Sequence, residues 1–480
     1  MVKYLPLLIV LLAACEQAPQ ADMVLLHGNI YTLDESKPRV QALAIKDGNI
    51  LWTGSDEEAS QWISEGVEVL DLAGQTVIPG FIESHGHLLG LGQMKRELDL
   101  SQVASYEELV AKVAEATKQV PEGQWIVGRG WHQSKWTPQP PMVMGYQTHE
   151  ALSAVSPAHP VYLVHASGHS IMANAKAMEM AGIGPDSKVG GDGEILRYPD
   201  GKPTGIFTEM AMGLVGQHIP AQTAESRRLD LQAAIAACLA QGVTSFQDAG
   251  SDSADIAVYR EFQNQGRMGI RLWVMLAGSD SALLASWYAR GPETGDYLTI
   301  RAIKLYADGA LGSRGAWLLE DYSDRPGHRG NALMPAAYIY RIAREGLENG
   351  FQVCTHAIGD RANRTVLDAY ETAFKDLPEA ARDARFRIEH AQHLHPDDIP
   401  RFAELGVIAS IQGIHMSSDR PWAIDRLGEK RIVEGAYVWQ KLLQSGAKVI
   451  NGTDVPVEPE NPIACFYASV TRKTLAGTPE

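Results

Sequence analysis

Short apolar runs recur along most of the chain, and each of them ends in polar or charged residues before a helical segment begins. Strands that alternate with helices form parallel sheets, and eight such units are typical of a (β/α)8 barrel. Helices are predicted between the later strands, for example over 336–349, 361–375 and 397–405. The pattern therefore predicts an α/β fold with a TIM barrel. The eight strands are predicted over 77–87, 242–250, 271–276, 302–309, 352–356, 386–390, 407–412 and 448–454.

A small β unit precedes the predicted barrel. Residues 23–78 contain several strand-type runs, and Asp47-Gly48 between two of them is a hairpin turn signal. So few strands cannot bury both of their faces without partners. We therefore predict a small N-terminal β-sandwich part over 23–78, followed by the barrel over 79–480.

The first connection of the barrel is much too long for one helix. Residues 88–241 contain a helical stretch over 106–119 and several turn signals rich in glycine and proline. Long insertions at the C-terminal face of a barrel are usually functional. We therefore expect an inserted subdomain that acts as a lid or as a wall of the substrate site.

The N-terminus has the pattern of an export signal. Residues 1–15 combine one early lysine, an apolar stretch and small residues before Cys15, and the stretch is too short to span a membrane. Leu12-Ala-Ala-Cys15 resembles a bacterial lipobox, which implies cleavage before Cys15 and lipidation of its thiol; an ordinary signal peptide is the alternative. Residues 16–22 would be a tether, and by resemblance to Gram-negative lipoproteins Glu16 is no signal for inner-membrane retention. We expect an exported protein that is lipid-anchored in the bacterial envelope, in the outer membrane facing the periplasm.

The composition limits the classes of partner that the protein can bind. The 480 residues carry a net charge of −16, from 42 basic and 58 acidic side chains. Nucleic-acid binding needs clustered lysine and arginine, so we expect no nucleic-acid partner, and a membrane contact only through the lipid anchor. Beyond Cys15, the remaining cysteines are widely spaced and odd in number, which implies no disulfide framework.

Two histidines end the first predicted barrel strand. His85 and His87 are two residues apart, so on a strand both side chains point to the same face. Imidazole is a suitable ligand for zinc and similar metals. Taken alone the pair is a weak signal, because two histidines also fall close together by chance.

The ends of other strands strengthen the metal hypothesis. In a TIM barrel the catalytic groups lie at the C-terminal ends of several strands. Here those positions also carry Lys304, His356, His390 and Asp454. Each has a structural explanation by itself, as a core imidazole, an edge lysine or a turn aspartate. Together they predict a metal site that is built by five strands.

These residues lie within longer motifs, which are Pro79-Gly-Phe-Ile-Glu-Ser-His-Gly-His87, Gly168-His-Ser-Ile-Met-Ala-Asn174, Ile303-Lys-Leu-Tyr-Ala-Asp-Gly-Ala-Leu-Gly-Ser313, Thr355-His-Ala-Ile-Gly-Asp360, Arg387-Ile-Glu-His-Ala-Gln392 and Gly452-Thr-Asp-Val-Pro-Val457. The set resembles the amidohydrolase superfamily, and within it the YtcJ-like (amidohydrolase-3) branch, which is related to N-substituted formamide deformylases. The resemblance runs from about residue 23 to the end of the chain.

The resemblance implies a metal-dependent hydrolase of carbon–nitrogen bonds other than peptide bonds, such as N-substituted amides. It implies two divalent metals, expected to be zinc. A carboxylated Lys304 would bridge them, because a carbamate is an anion whereas an ammonium has no lone pair; an unmodified Lys304 leaves one metal. Asp454 would act as general base towards a metal-activated water and as acid towards the leaving nitrogen. The implied ligands are His85, His87 and Asp454 for one metal and His356 and His390 for the other.

Further residues past strand ends and in the insertion are candidate contacts of a small amide-type substrate. For Trp131, a place in the core of the inserted subdomain is an equally good explanation. The candidates are Trp131, His169, Asn174, Asp308, Arg314, Gln412 and His415.

Other functions stay open at this level. The same metals would also suit an ester, a lactone or a phosphoester, and the fold does not fix the substrate. A catalytically dead, lipid-anchored binding protein is a third hypothesis, against which the complete ligand set argues. Proteins of the resembled type continue past the eighth strand and return to the small β unit, so we expect a chain truncated at its C-terminus; a fold that another chain completes is the alternative. A homodimer is compatible with the sequence.

Overall fold

The computed structural model describes residues 21–133, 136–165, 168, 170–190 and 193–478. The chain divides into two compact units, with the boundary between Gly80 and Phe81. Within the described residues, no helix combines the length and the apolar character that a membrane crossing requires. The predicted signal segment 1–15 with its Cys15 lies outside the described residues.

The first unit is built from short strands in two sheets. Its strands are β1 (Met23–Leu26), β2 (Asn29–Tyr31), β3 (Arg39–Val40), β4 (Ala42–Lys46), β5 (Asn49–Gly54), β6 (Glu68–Asp71) and β7 (Thr76–Val77), and its helix is α1 (Asp56–Ala59). The strand orders are β5-β4-β1-β6 and β3-β2-β7. Asp47 and Gly48 join β4 to β5 with φ angles of 48° and 73°, as a two-residue type I′ hairpin turn requires.

The predicted start of the first barrel strand is wrong. Val77 pairs with Ile30 inside the first unit. The barrel strand begins only at Phe81, after Pro79-Gly80. Proline has no N–H to give to a sheet, and glycine weakens a strand, so this dipeptide separates two strands that the apolar pattern runs together.

The inserted segment folds around a sheet of its own. It follows the first barrel strand, β8 (Phe81–Gly86), and contains six strands in the order β13-β14-β12-β11-β10-β9. The elements are α2 (Leu88–Arg96), β9 (Leu98–Asp99), α3 (Tyr106–Ala116), β10 (Ile126–Trp131), α4 (Glu150–Val155), β11 (Val161–His165), β12 (Ser170–Ala173), α5 (Ala175–Met180), β13 (Ile195–Arg197), β14 (Pro203–Thr208) and α6 (Met212–Gly216).

Eight parallel strands form the barrel, as predicted. After β8 they are β15 (Val243–Ser251), β16 (Arg271–Ala277), β17 (Leu298–Tyr306), β18 (Gln352–Ala357), β19 (Arg387–His390), β20 (Ile408–Ile411) and β21 (Val449–Asn451), and they neighbour one another in this order. The last strand returns to the first. Asp454 N donates to His85 O at 2.8 Å, and His87 N donates to Val455 O at 2.7 Å. These two bonds place the end of β21 beside the histidines of β8.

Helices connect the strands on the outside of the barrel. They are α7 (Ala224–Ala240), α8 (Ser253–Asn264), α9 (Ser281–Arg290), α10 (Ala336–Asn349), α11 (Asp360–Asp376), α12 (Pro378–Ala381), α13 (Ile399–Leu405), α14 (Gly413–Gly435), α15 (Trp439–Gln444) and α16 (Pro462–Thr471). Most carry an apolar face that packs on the strands, as in α10, where Ile339, Ile342 and Leu347 are buried. Helix α14 is different, since it is kinked at Gly428, which has a φ of 73°.

Candidate metal centre

A cluster of imidazoles and one lysine lies at the C-terminal ends of the barrel strands. The ring centroids of His85 and His390 are 5.0 Å apart, and those of His356 and His390 are 4.4 Å apart. Lys304 Nζ lies 3.1 Å from His85 Nε2 and is almost fully buried. The parallel sheet therefore brings together side chains that are up to 305 residues apart in sequence, from His85 to His390.

Asp454, which follows the last barrel strand, lies beside the histidines of the first. Its Oδ1 is 3.2 Å from His87 Nε2 and 3.6 Å from His85 Nε2. Its backbone has a φ of 61°, in the left-handed region, which turns the carboxylate back towards β8. One donor atom from each of His85, His87 and Asp454 lies within 4.8 Å of the others, a spacing that one metal ion can bridge.

His415 joins the same centre, although the sequence indicated only a substrate contact. His390, His415 and Asp454 form a second group whose donor atoms all lie within 4.8 Å of one another. His415 Nε2 is 3.9 Å from Asp454 Oδ2. The missed signal is its position three residues after Gln412, at the start of the connection that leaves β20.

The donor atoms fit a metal ion. Among the described residues, Asp454 Oδ1 and His415 Nε2 are buried and have no hydrogen-bond partner, which is costly unless a ligand satisfies them. Burial lowers the pKa of His85 to about 4 and that of His356 to about 3, so both imidazoles are neutral and keep a lone pair. Burial also lowers the pKa of Lys304, which favours the neutral amine that carboxylation requires.

Buried partners orient two of the histidines. His85 Nδ1 donates to Glu389 Oε2 at 2.5 Å, and Glu389 is held by two hydrogen bonds from Arg387, at 2.7 and 2.8 Å. His390 Nδ1 donates to Gln412 Oε1 at 2.6 Å. In both cases the bond at Nδ1 leaves Nε2 free as the ligand atom. Arg387 and Glu389 were not predicted from the sequence, although the alternation along β19 places both on one face of the strand.

Asp308 has a structural role and does not line the cavity at this centre. Its carboxylate accepts backbone hydrogen bonds from Ile358 at 2.9 Å and from Gly359 and Trp317 at 2.8 Å. Burial raises the pKa of Asp308 to about 7, against the effect of these bonds. His356 Nε2 lies 3.5 Å from Asp308 Oδ1 and has no hydrogen-bond partner among the described residues. The carboxylate of Asp308 is thus engaged with the backbone, and its substrate contact stays a prediction.

A cavity of about 780 Å³ opens above the cluster. Its floor carries all six of the sequence-predicted ligands, and His415 lines it as well. Gln412 does not line the cavity, and its Oε1 accepts the hydrogen bond from His390 Nδ1. The remaining wall residues are Tyr306, Ala310, Leu311, Gly312, Ser313, Ile358, Gln392, Asp419, Trp422, Arg426, Val457 and Glu458.

Three further predicted substrate contacts are absent from this lining. Trp131 is fully buried in the core of the insertion, where its Nε1 donates to Leu163 O at 2.9 Å. Asn174 is fully buried and caps α5 through a hydrogen bond from Ala177 N. Arg314 forms a two-bond ion pair with Asp324, at 3.0 and 2.7 Å. Each of these polar groups is already engaged within the protein, and the three substrate contacts stay predictions.

His169 lies outside the described residues.

Comparison with known families gives one match over most of the chain. The model of the amidohydrolase family (amidohydrolase-3 type) matches residues 68–479. Among curated proteins, the chain is 33% identical to the LONG AFTER FAR-RED 3 protein of Arabidopsis thaliana, over 94% of the chain and 78% of that protein. It is 32% identical to the putative amidohydrolase YtcJ of Bacillus subtilis, over 93% and 83%. It is 27% identical to the N-substituted formamide deformylase of Arthrobacter pascens, over 95% and 85%.

Two solved structures resemble the whole fold. Both are uncharacterised metal-dependent hydrolases, one from Pyrococcus horikoshii and one from Pyrococcus furiosus. The first has a TM-score of 0.77 at 28% identity and covers 94% of this chain and 86% of its own. The second has a TM-score of 0.77 at 30% identity and covers 93% and 88%.

Proposed function

The chain belongs to the amidohydrolase family, and from that premise we propose that it hydrolyses carbon–nitrogen bonds other than peptide bonds, such as those of N-substituted amides. Its coarser class, a metal-dependent hydrolase, is shared with the family and with similar structures. The observation that carries the proposal is the convergence of unengaged donor atoms from several strand ends on the floor of one cavity. A relative that deformylates N-substituted formamides supports the choice of bond.

By resemblance to the family, the predicted ligands are divided between two metals. His85, His87 and Asp454 would hold one ion, and His356 and His390 the other, with carboxylated Lys304 between them. The donor set of imidazoles and carboxylates suits zinc. Bound there, such ions polarise a carbonyl group and make water a stronger nucleophile. With Lys304 unmodified, one metal is the expected content.

Asp454 is the proposed general base and acid. Burial opposes ionisation, but the close approach of His87 Nε2, 3.2 Å from Oδ1, and the nearby imidazoles hold the pKa of Asp454 well below its usual range. Its Oδ1 has no hydrogen-bond partner among the described residues. This oxygen can accept a proton from the attacking water and return it to the leaving nitrogen.

The test is a matched set of substrates. Zinc-loaded protein is assayed with N-formyl and N-acetyl amines, with the corresponding esters, and with a phosphoester. The proposal predicts turnover of the amides, and a loss of at least a hundredfold in kcat for Asp454→Asn, as expected for the loss of a general base. Turnover of only the esters or the phosphoester would contradict amide hydrolysis and favour a metal-dependent esterase or phosphoesterase. No turnover from metal-loaded, folded protein would favour the binding protein.

The localisation is also a proposal. The lipobox-like Leu12-Ala-Ala-Cys15 supports export and attachment through a lipid on Cys15. Radiolabelled palmitate should be incorporated into the full chain expressed in a Gram-negative host, and the label should be lost in Cys15→Ser. Incorporation that is equal in both proteins would contradict the anchor.

A further inference from the structure

One face of α14 forms a wall of the cavity. The residues that line it are His415, Asp419, Trp422 and Arg426, at spacings of four, three and four, which places them on the same side of a helix. Helix α14 begins directly after β20, so the wall rises away from the strand ends. At 1.5 Å per residue, Asp419 lies about 6 Å farther along the helix axis than His415.

Two carboxylates on this side of the cavity each have one oxygen that accepts no hydrogen bond from the described residues. Asp419 Oδ2 accepts hydrogen bonds from Gln392 Nε2 at 2.9 Å and from Tyr437 Oη at 2.6 Å, which fixes the orientation of the carboxylate. Glu458 Oε1 accepts a hydrogen bond from Ser418 Oγ. Within the part of the chain that the structure describes, Asp419 Oδ1 and Glu458 Oε2 accept no hydrogen bond, and no lysine or arginine pairs with either group.

The surroundings make these carboxylates unusual. Burial raises the pKa of both Asp419 and Glu458, against a smaller lowering by nearby His415. His415, more than nine-tenths buried, also faces this cavity, and its Nε2 has no hydrogen-bond partner among the described residues. The indole of Trp422 adds an aromatic wall of the kind that attracts cations, and the guanidinium of Arg426 lies over this ring, 5.7 Å from its centroid.

The positive charge on the same face is already engaged. Arg426 pairs with Asp324 through Nη1, and its Nε donates to Gly312 O at 3.2 Å. Asp324 also binds Arg314, so the two guanidinium groups are held together at the rim by one carboxylate. Arg426 therefore does not neutralise Asp419 or Glu458.

We propose that Asp419, Glu458 and Trp422 form a subsite for a protonated amino group, so that the preferred substrates are N-acyl derivatives of diamines and other basic amines. This inference rests on the proposed amide hydrolysis and names its substrate class. The ammonium hydrogen-bonds to the two free carboxylate oxygens and lies against the indole. The scissile amide then lies on the floor, beside Asp454.

The first test compares substrates that differ only at one end. N-formyl and N-acetyl alkylamines ending in an amino, a hydroxyl or a carboxyl group are assayed with zinc-loaded protein. The proposal predicts that kcat/KM for the amino-ended compound exceeds that for the hydroxyl-ended one by at least about tenfold, equivalent to about 1.4 kcal/mol. Asp419→Asn and Glu458→Gln should each reduce this ratio several-fold. Asp425→Asn, on the exposed side of the same helix, is the matched control and should leave the ratio unchanged.

The second test does not depend on turnover. Hexylammonium and hexanol are titrated calorimetrically into the zinc-loaded protein and into the same variants. Ammonium binding that weakens in Asp419→Asn and Glu458→Gln supports the subsite. It does so even if no amide is hydrolysed, and that result would contradict only the proposed function. Amide hydrolysis without a preference for the amino-ended substrate, or with a preference for the carboxyl-ended one, overturns the subsite and leaves the proposed function standing.

Discussion

Glu389 accepts a hydrogen bond from Nδ1 of His85 at 2.5 Å, and both side chains are buried beneath the candidate metal centre. The carboxylate fixes the ring tautomer, so that Nε2 of His85 points to Lys304 and Asp454. Arg387 in turn holds Glu389 and donates to Ser84 O at 2.7 Å. The geometry of the centre therefore depends on charged groups below it, inside the barrel.

Glu389→Gln should weaken metal binding. An outer partner of a metal-binding histidine typically contributes 10- to 100-fold in metal affinity, so we expect a loss of about that size in zinc affinity. The measurement is competition with a chromophoric chelator. The exposed Glu404→Gln is the control. Because the substitution leaves Arg387 without its carboxylate, thermal unfolding is followed in parallel; a folded variant with unchanged affinity would refute the role of Glu389.

Lys304 should carry a carboxyl group when the protein is loaded with metal. The buried amine lies 3.1 Å from His85 Nε2, and its lowered pKa favours the neutral form that reacts with carbon dioxide. Native mass spectrometry of protein prepared with zinc and bicarbonate should show the added mass of one carbon dioxide, and Lys304→Ala should lack it. An unmodified mass at full metal occupancy would limit the centre to direct protein ligands.

Glu83 should make the stability of the metal-free protein fall as the pH rises. It accepts hydrogen bonds from His85 N at 3.1 Å and Thr453 N at 2.8 Å, and burial raises its pKa from 4.5 to about 7. A pKa raised in the folded state gives stability that is present below pH 4.5 and lost as the pH rises through about 7. Over that window the loss is up to about 3 kcal/mol for this group. Urea unfolding should show a flatter pH dependence in Glu83→Gln than in the parent; parallel curves would contradict this.

Gly92→Ala should destabilise the barrel. A Cβ atom at Gly92 in α2 would lie 1.8 Å from the backbone oxygen of Asp230 in α7, so the two helices would have to separate. Overpacking of this kind costs about 1–3 kcal/mol or more. Gly213→Ala in α6 is the control, because no atom of the described residues lies within 4 Å of its added Cβ. Equal unfolding midpoints for the two variants would contradict this prediction and show that α2 and α7 can move apart at little cost in stability.

The sequence predicted the barrel well because its signals are local. Each strand is a short apolar run, and the ligand candidates His85, His356 and His390 stand at strand ends, where parallel topology must bring them together. The substrate contacts were harder to predict. Trp131 and Asn174 have suitable chemistry, but their polar atoms are used inside the insertion, a fact that only the packing reveals.

The wall of the cavity was missed for a related reason. Helix α14 contains Pro421 and is kinked at Gly428, so its sequence lacks a regular apolar period. Asp419 and Trp422 therefore gave no helical signal, and nothing local shows that they face the same cavity as Asp454. The contribution of His415 to the centre depends in the same way on where α14 begins.

The metal content per chain shows whether the cluster of His85, His87, Lys304, His356, His390 and Asp454 is a metal centre. Protein purified with zinc and bicarbonate is analysed by elemental analysis beside His85→Ala, with circular dichroism to confirm that both are folded. A binuclear centre should give about two metals per chain in the parent protein, and fewer in His85→Ala because one complete ligand group is broken. One metal would retain the hydrolase without the bridging carbamate. A folded parent protein that holds no metal would contradict the proposed metal-dependent hydrolysis.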